Sequence, residues 1–189
     1  IFLEAIEGYL SISSNFISDM LFLKTISMII KLLPLIIEDP ENPQNLLSAS
    51  KAGFSAALGL TISSTGLGTA CAAEINKQFR VSRAITATIL LPFILEYGLR
   101  VCPDKVSRMG PILGEDISGL SIISAADRVI ESLRISIGIQ NLPVRLSDLG
   151  IKKENLNSVA EEGIKLPMVK TLPSAITVEE IYKILKDAL

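Results

Sequence analysis

Histidine is absent from all 189 residues of the chain. That absence excludes a Ser-His triad, an imidazole general acid or base, and any imidazole metal ligand within these residues. Cysteine is scarce: Cys71 and Cys102 are the only two. Two thiols give neither a disulfide framework nor a zinc spacing, which fits a reducing, cytoplasmic setting. Neither sign of charge dominates, with 18 Lys and Arg against 20 Asp and Glu. The formal net charge is −2, so no basic surface points to nucleic acid or anionic lipid. There is no GxSxG elbow, P-loop or paired-cysteine motif. No sustained apolar/polar alternation occurs, so no strand of consequence is expected. The N-terminus shows no basic stretch followed by an apolar core and cleavage site, hence no signal peptide. The chain opens on Ile1, apparently inside a helix, and is expected to be a fragment of a longer protein.

What is present is apolar. Hydrophobic residues make up 49% of the chain, enough for one helical domain over 1–189 with a full core. The organising stretch runs from Ala52 to Leu95, and its first half, AGFSAALGLTISSTGLGTACAA, carries no charge. Such a stretch calls for burial on nearly every side, in lipid or in protein. Its interspersed Gly, Ser and Thr, with a break at Ser63–Ser64–Thr65–Gly66, favour two central helices of a soluble domain over a membrane span. Lys31 and Pro34 interrupt the other apolar run, Ile26 to Ile37, so no membrane is expected as a partner. Residues 52–77 should form the most buried segment.

The remaining pattern predicts an all-α chain. A helix covers 1–16, and a second starts near Asp19 and kinks or nearly ends at Pro34. A turn follows at 38–45, then helices near 45–62, 67–77 and 84–99, the last kinked at Pro92. Pro103 suits the first position of another helix, and 114–120 is a loop. Ile122, Ile123, Ala126, Val129, Ile130, Leu133 and Ile137 form an apolar stripe that Gly138 stops. Residues 142–150 are irregular, and a short polar helix lies at 153–162. Thr177 and Glu180 make a capping box with Ile176 and Ile181 as its staple, and Ile181, Ile184, Leu185 and Leu189 give the buried face of the last helix.

Several of these segments resemble the iron-containing alcohol dehydrogenases. GLGTACAAEINKQFRVSRAITATILLPFILEYG is similar to the family's G-L-x-H-A-x-A-H-x-x-G, P-H-G and N-A-I-L-L-P-x-V-L-E run. LEAIEGYLS resembles D-A-L-T-H-A-I-E-G-Y-x-S, and LSASKAGFSAALGL resembles the A-S-x-x-A-G-x-A-F helix. CPDKVSRMGPILG, GIQNLPVRLSDLGIKKENLNSVAEEG and LPSAITVEEIYKIL follow in the family's order, so the likeness covers essentially the whole chain. It implies the helical C-terminal domain of a dehydroquinate-synthase-like architecture. The implied partner is an N-terminal nucleotide-binding α/β domain of the same protein, which would carry NAD(P). Assembly into a homo-oligomer is left open.

In the family, one carboxylate and three histidines hold a divalent iron or zinc. By the resemblance, the aspartate falls just before Ile1 and the three ligand histidines on Glu4, Thr69 and Arg83, while the second histidine of the central motif, apart from those three, falls on Ala73. Thr69 is a poor ligand, Ala73 offers none, and Arg83 is a permanent cation. Iron or zinc is therefore not expected here, nor is a cofactor held by this chain alone. Glu4 and Arg83 would face each other across the old site and could pair in place of a metal. Cys71 lies two residues from Thr69, roughly 200° round a helix, and points away. Glu74, Lys77 and Arg80 read as a solvated helix end, and Ser63–Ser64–Thr65 as residues satisfying helix ends.

Three functions fit. One is the helical domain of a divergent NAD(P)-dependent alcohol or aldehyde oxidoreductase, inactive alone. Another is a non-catalytic relative with a structural, regulatory or ligand-binding role. The third is a metal-independent reductase in which Arg83 polarises a carbonyl or grips an anionic substrate.

Overall fold

The structure, a computed structural model, describes residues 1–138 and 143–189; the side chain of Ile137 lies outside the description. Among the described residues there are ten α-helices, three short 3-10 turns and no strand. The chain is all-α, as its patterning requires. In order the helices are α1 Phe2–Leu10, α2 Phe16–Glu38, α3 Pro43–Leu60, α4 Leu67–Phe79 and α5 Arg83–Val101. They continue as α6 Pro103–Ser107, α7 Gly110–Leu113, α8 Ile122–Gly138, α9 Leu156–Gly163 and α10 Val178–Asp187.

Side-chain caps decide several boundaries. Asn15 accepts from the N–H groups of Ile17 and Ser18, while the Ser18 hydroxyl accepts from the Asn15 N–H. This box starts α2 at Phe16, earlier than Asp19, and separates it from a first helix that ends at Leu10 rather than residue 16. Pro34 does not end α2, which continues to Glu38; Pro34 is exposed, so the carbonyl its missing N–H frees can be hydrated. Likewise α5 runs on through Pro92. Residues 43–45 of the expected turn already belong to α3, because Asn42 caps that helix and Pro43 takes its first position. Arg80, at φ 55°, closes α4 in the left-handed conformation.

The centre of the domain is α4. Leu67, Gly68, Thr69, Ala70, Cys71, Ala72, Glu74 and Ile75 are all buried, with α1, α5 and α9 packed around them. The charge-free run before α4 behaves differently. Only Ala52, Ala56 and Gly59 of α3 are buried, a small-residue stripe that lets α3 lie closely on α2. Phe54 is 72% exposed, and Leu46, Leu47 and Leu58 are exposed with it. The expectation that 52–77 is the most buried segment therefore holds for α4 and fails for α3, because α3 packs on α2 and α1 along one face and leaves Phe54 and Leu58 exposed on the other. Leu67→Ala should then cost about 2–5 kcal/mol, whereas Leu60→Ala, only partly buried, should cost well under half of that in urea unfolding.

Two helices, α2 and α5, are long and apolar enough to cross a membrane, by length and composition only. By sequence, Ala52–Ala73 is the apolar candidate for a span, and Lys31 and Pro34 are expected to interrupt the α2 region. In the fold neither residue interrupts α2. Phe22 and Ile26 of that helix are nonetheless fully buried, and the Thr25 hydroxyl reaches the Ala52 carbonyl at 3.4 Å.

In α8, Ala126, Val129, Ile130 and Leu133 are buried as the stripe requires, but Ile122 and Ile123 are exposed, since the first turn overhangs its neighbours. Ile137, the last member of the stripe, lies outside the described side chains, as does Leu142. The irregular segment after it contains a 3-10 turn, Leu146–Leu149, that buries Leu146, and the short helix at 153–162 is a 3-10 turn followed by α9. Thr177 and Glu180 form the capping box of α10, and Ile181, Ile184 and Leu185 are its buried face.

Candidate functional site

Three of the positions singled out from the sequence meet in one cleft. Glu4 stands in the first turn of α1, Thr69 in the first turn of α4, and Arg83 is the first residue of α5, after the N-cap Ser82. They line a cleft of about 300 Å³ whose walls include Leu3, Ala72, Ala84 and Ala87. The Arg83 Nη2 donates to Glu4 Oε1 at 3.0 Å, and the other Glu4 oxygen meets the Ile1 amino group at 3.3 Å. The Arg83 side chain is 50% exposed and that of Glu4 29%. A pair this wet is worth on the order of 0–1 kcal/mol, so its role is to set the charge of the cleft and not to hold the fold together. Ala73, one helical turn beyond Thr69, is half-buried and is not among the residues lining the cleft.

Thr69 lines the cleft without offering it an oxygen. Its Oγ1 is fully buried and makes no hydrogen bond. It is turned toward the carboxylate of Glu7, whose ionised form it favours without reaching hydrogen-bond geometry.

Glu7 is the residue the sequence reading missed. It sits one turn after Glu4 on α1, only 4% exposed. Its Oε2 accepts from the Gly66 N–H at 3.0 Å, its Oε1 from the Gly68 N–H at 2.5 Å, and both lie within 3.3 Å of the Thr69 N–H. Helix α4 has glycine at its N-cap and no side-chain cap of its own, so a carboxylate from another helix takes that place. Burial pushes the Glu7 carboxyl above the ordinary range, against the Thr69 hydroxyl and the three N–H groups, which pull it down. The sequence did hold a signal. Leu3, Ile6 and Leu10 put Glu7 on the buried face at helical spacing.

Cys71 is buried in the core and absent from the cleft. Burial first, and then the Glu7 and Glu74 carboxylates, push its thiol up to about 12, so it remains protonated and inert at neutral pH. Glu74 departs from the solvated helix end expected of it. It is 4% exposed and paired with Lys77 at 3.1 Å. Ser63 does satisfy a helix end: its hydroxyl donates to the Gly8 carbonyl, in the last turn of α1, at 2.8 Å and ties the α3–α4 connection to that helix.

An all-helical domain whose α1, α4 and α5 converge their first turns on one cleft is the class of protein this fold and site define. The chain belongs to the iron-containing alcohol dehydrogenases: the model of the Fe-containing alcohol dehydrogenase family, C-terminal, matches residues 1–189. It is similar to the 1,3-propanediol dehydrogenase of Klebsiella pneumoniae, 26% identical across 98% of this chain and 48% of that protein. It is also similar to the NAD-dependent methanol dehydrogenase of Bacillus methanolicus, 22% identical across 98% of this chain and 49% of that protein. Among solved structures, the alcohol dehydrogenase from Oenococcus oeni superposes over the whole chain with a TM-score of 0.94 at 26% identity, covering 49% of that chain. A 1,3-propanediol oxidoreductase does so with a TM-score of 0.95 at 24% identity, a likeness of fold. The chain spans about half the length of the curated relatives it matches.

Proposed function

We propose that this chain is the helical half of a nicotinamide-dependent alcohol or aldehyde oxidoreductase in which an ion pair, Glu4–Arg83, takes the place of the family's metal. The observation that carries the reading is the guanidinium in the cleft, 3.0 Å from the one carboxylate that lines it. A divalent cation needs several lone pairs directed inward. Here Arg83 supplies none, the Thr69 oxygen is turned away, and Glu4 is already engaged. Among the described residues no three His, Cys, Asp or Glu side chains converge. These residues do not fit iron or zinc. The chain by itself carries no catalysis in this reading, and nucleotide binding resides in an N-terminal domain of the same protein.

Metal content tests it. After dialysis, mass spectrometry of the purified chain should find iron and zinc far below one per chain, and adding either should leave Tm unchanged. A metal that binds only the folded state must raise Tm by mass action. About one metal per chain, or a saturable rise in Tm, would overturn the assignment.

A second reading, metal-free carbonyl reduction, is favoured by the state of Arg83. One of its five N–H donors is spent on Glu4, and half its side-chain surface is open to solvent at the cleft it lines. It can donate to a carbonyl oxygen as hydride arrives. NAD(P)H turnover by the full-length protein without metal would support this reading. Failure of that protein to bind nucleotide would leave a non-catalytic relative.

A further inference from the structure

Helices α2 and α3 are an antiparallel pair whose register is fixed by hydrogen bonds across it. The Ser55 hydroxyl donates to the Leu21 carbonyl and the Asn45 amide to the Leu35 carbonyl, each at 3.2 Å. Helix α1 packs on both, over the side where Phe22, Ile26, Ala52 and Ala56 are buried. The outer side is different. On α2, Met20, Lys24, Lys31 and Leu35 recur at helical spacing and are exposed. On α3, Leu47, Lys51, Phe54 and Leu58 do the same. Helix α2 is apolar enough to cross a membrane, yet only 17% of that stretch is buried in the fold.

The charge on this outer side has one sign. Within 20–37 and 43–60 the only charged residues are Lys24, Lys31 and Lys51. Among the described residues none of the three is in an ion pair. The nearby acids lie elsewhere: Glu38, Asp39 and Glu41 cluster at the turn between the helices, and Asp19 faces Lys105 at 3.5 Å. The even balance of the whole chain conceals this local surplus, which is why the totals point away from lipid. None of these residues lines the Arg83 cleft.

We propose that the outer face of α2 and α3 docks on the surface of an anionic phospholipid membrane, with Met20, Phe54 and Leu58 in the interface and the three lysines at lipid phosphates. Charge selects this occupant. A second copy of the chain would bring these lysines against their own kind, with no acid between them. A protein partner would need acids at three set positions, whereas lipid headgroups diffuse to wherever the cations stand. Lysine stems lie along apolar surface while their ammonium heads reach past it, which suits cations set among Met20, Leu47 and Phe54. The pair lies along the headgroups and does not span, because Phe22 and Ile26 hold the other side of α2 in the core. A lysine beside an anionic bilayer is worth about fivefold in binding, so three give at most about a hundredfold.

The experiment is co-sedimentation of the full-length protein with vesicles of phosphatidylcholine alone and of phosphatidylcholine with about one-third phosphatidylserine. The anionic vesicles should bind at least about tenfold tighter, and about 1 M salt, where the Debye length falls to about 3 Å, should erase the difference. Lys24→Gln, Lys31→Gln and Lys51→Gln together should bring the two affinities within about twofold of each other, while arginine at the same three positions should keep them apart. Met20→Ser with Phe54→Ser should weaken binding to both compositions severalfold and preserve their ratio. All these side chains are exposed, and circular dichroism checks that each variant folds. Absent binding, equal binding to both vesicles, a preference that survives the glutamine variant, or binding that the serine variant leaves unchanged would each overturn the proposal. Binding by the 189-residue chain that the full-length protein lacks would overturn it too, and give the face to the N-terminal half. A dimer that Phe54→Ser dissociates, in protein that ignores vesicles, would give it to a second copy.

Discussion

Glu7→Ala should cost about 3–5 kcal/mol of stability, because it strands three buried donors at once. The N–H groups of Gly66, Gly68 and Thr69 all end on this carboxylate, and Gly66 has no side chain to replace it. The cavity beside Glu7 has room for only about one water, some 20 Å³, too little to hydrate all three. Glu7→Gln keeps the shape and should cost about 1–3 kcal/mol, since its amide nitrogen turns a donor toward donors. Urea unfolding of both variants checks this. A cost within error of zero for Glu7→Ala would mean that the start of α4 is held by packing alone.

The pH dependence of that difference has a definite sign. Burial outweighs the hydrogen bonds, so the folded carboxyl titrates above the ordinary 4.5. The folded state therefore holds this proton more tightly than the unfolded state does. Glu7's contribution is then largest below 4.5, declines as pH rises through the folded value, and is flat beyond it. The advantage of the natural chain over Glu7→Gln should accordingly shrink between pH 4 and neutrality. An advantage that grows with pH would show that the three N–H donors win over burial. Either result bears on the cleft, because the same N–H groups fix the first turn of α4 and with it Thr69.

The helical course of the chain was readable because each helix announces itself by apolar spacing and, at Thr177–Glu180 or Pro103, by its cap. The Asn15–Ser18 box was equally present in the sequence, yet it sits inside an apolar run that periodicity alone joins into one element. Exposure was harder to read. The one charge in α3, Lys51, and its apolar remainder suggest burial all round, but only its Ala52, Ala56 and Gly59 face is covered, and Phe54, Leu46 and Leu58 are exposed. The cleft was legible in part. Glu4, Thr69 and Arg83 do come together, since family spacing encodes the juxtaposition of α1, α4 and α5. The direction of the Thr69 hydroxyl was not, for it depends on Glu7, a residue whose partners lie about sixty positions away. A buried carboxylate bound only by backbone leaves no complementary side chain in the sequence to betray it.

Phe22→Ala is expected to cost about 3–5 kcal/mol, the largest loss of any single apolar truncation in the α1–α3 layer. Its ring is completely buried and lies between two glycines on different helices. A Cβ at Gly8 of α1 would stand 2.4 Å from the ring, and one at Gly59 of α3 would stand 2.7 Å from it. The three helices thus close on one aromatic side chain, which fits because both neighbours lack a side chain. Removing the ring leaves a void that two rigid helical backbones cannot collapse into. The reciprocal change is informative. Gly8→Ala alone should cost about 1–3 kcal/mol by overpacking, but in a Phe22→Leu background the added methyl has space, and the penalty should fall by at least half. Since the ring is what couples the sites, the double variant should be more stable than the sum of the single losses allows. Denaturant melts of the four proteins decide it. Strict additivity would mean that Gly8 is small for a reason other than Phe22.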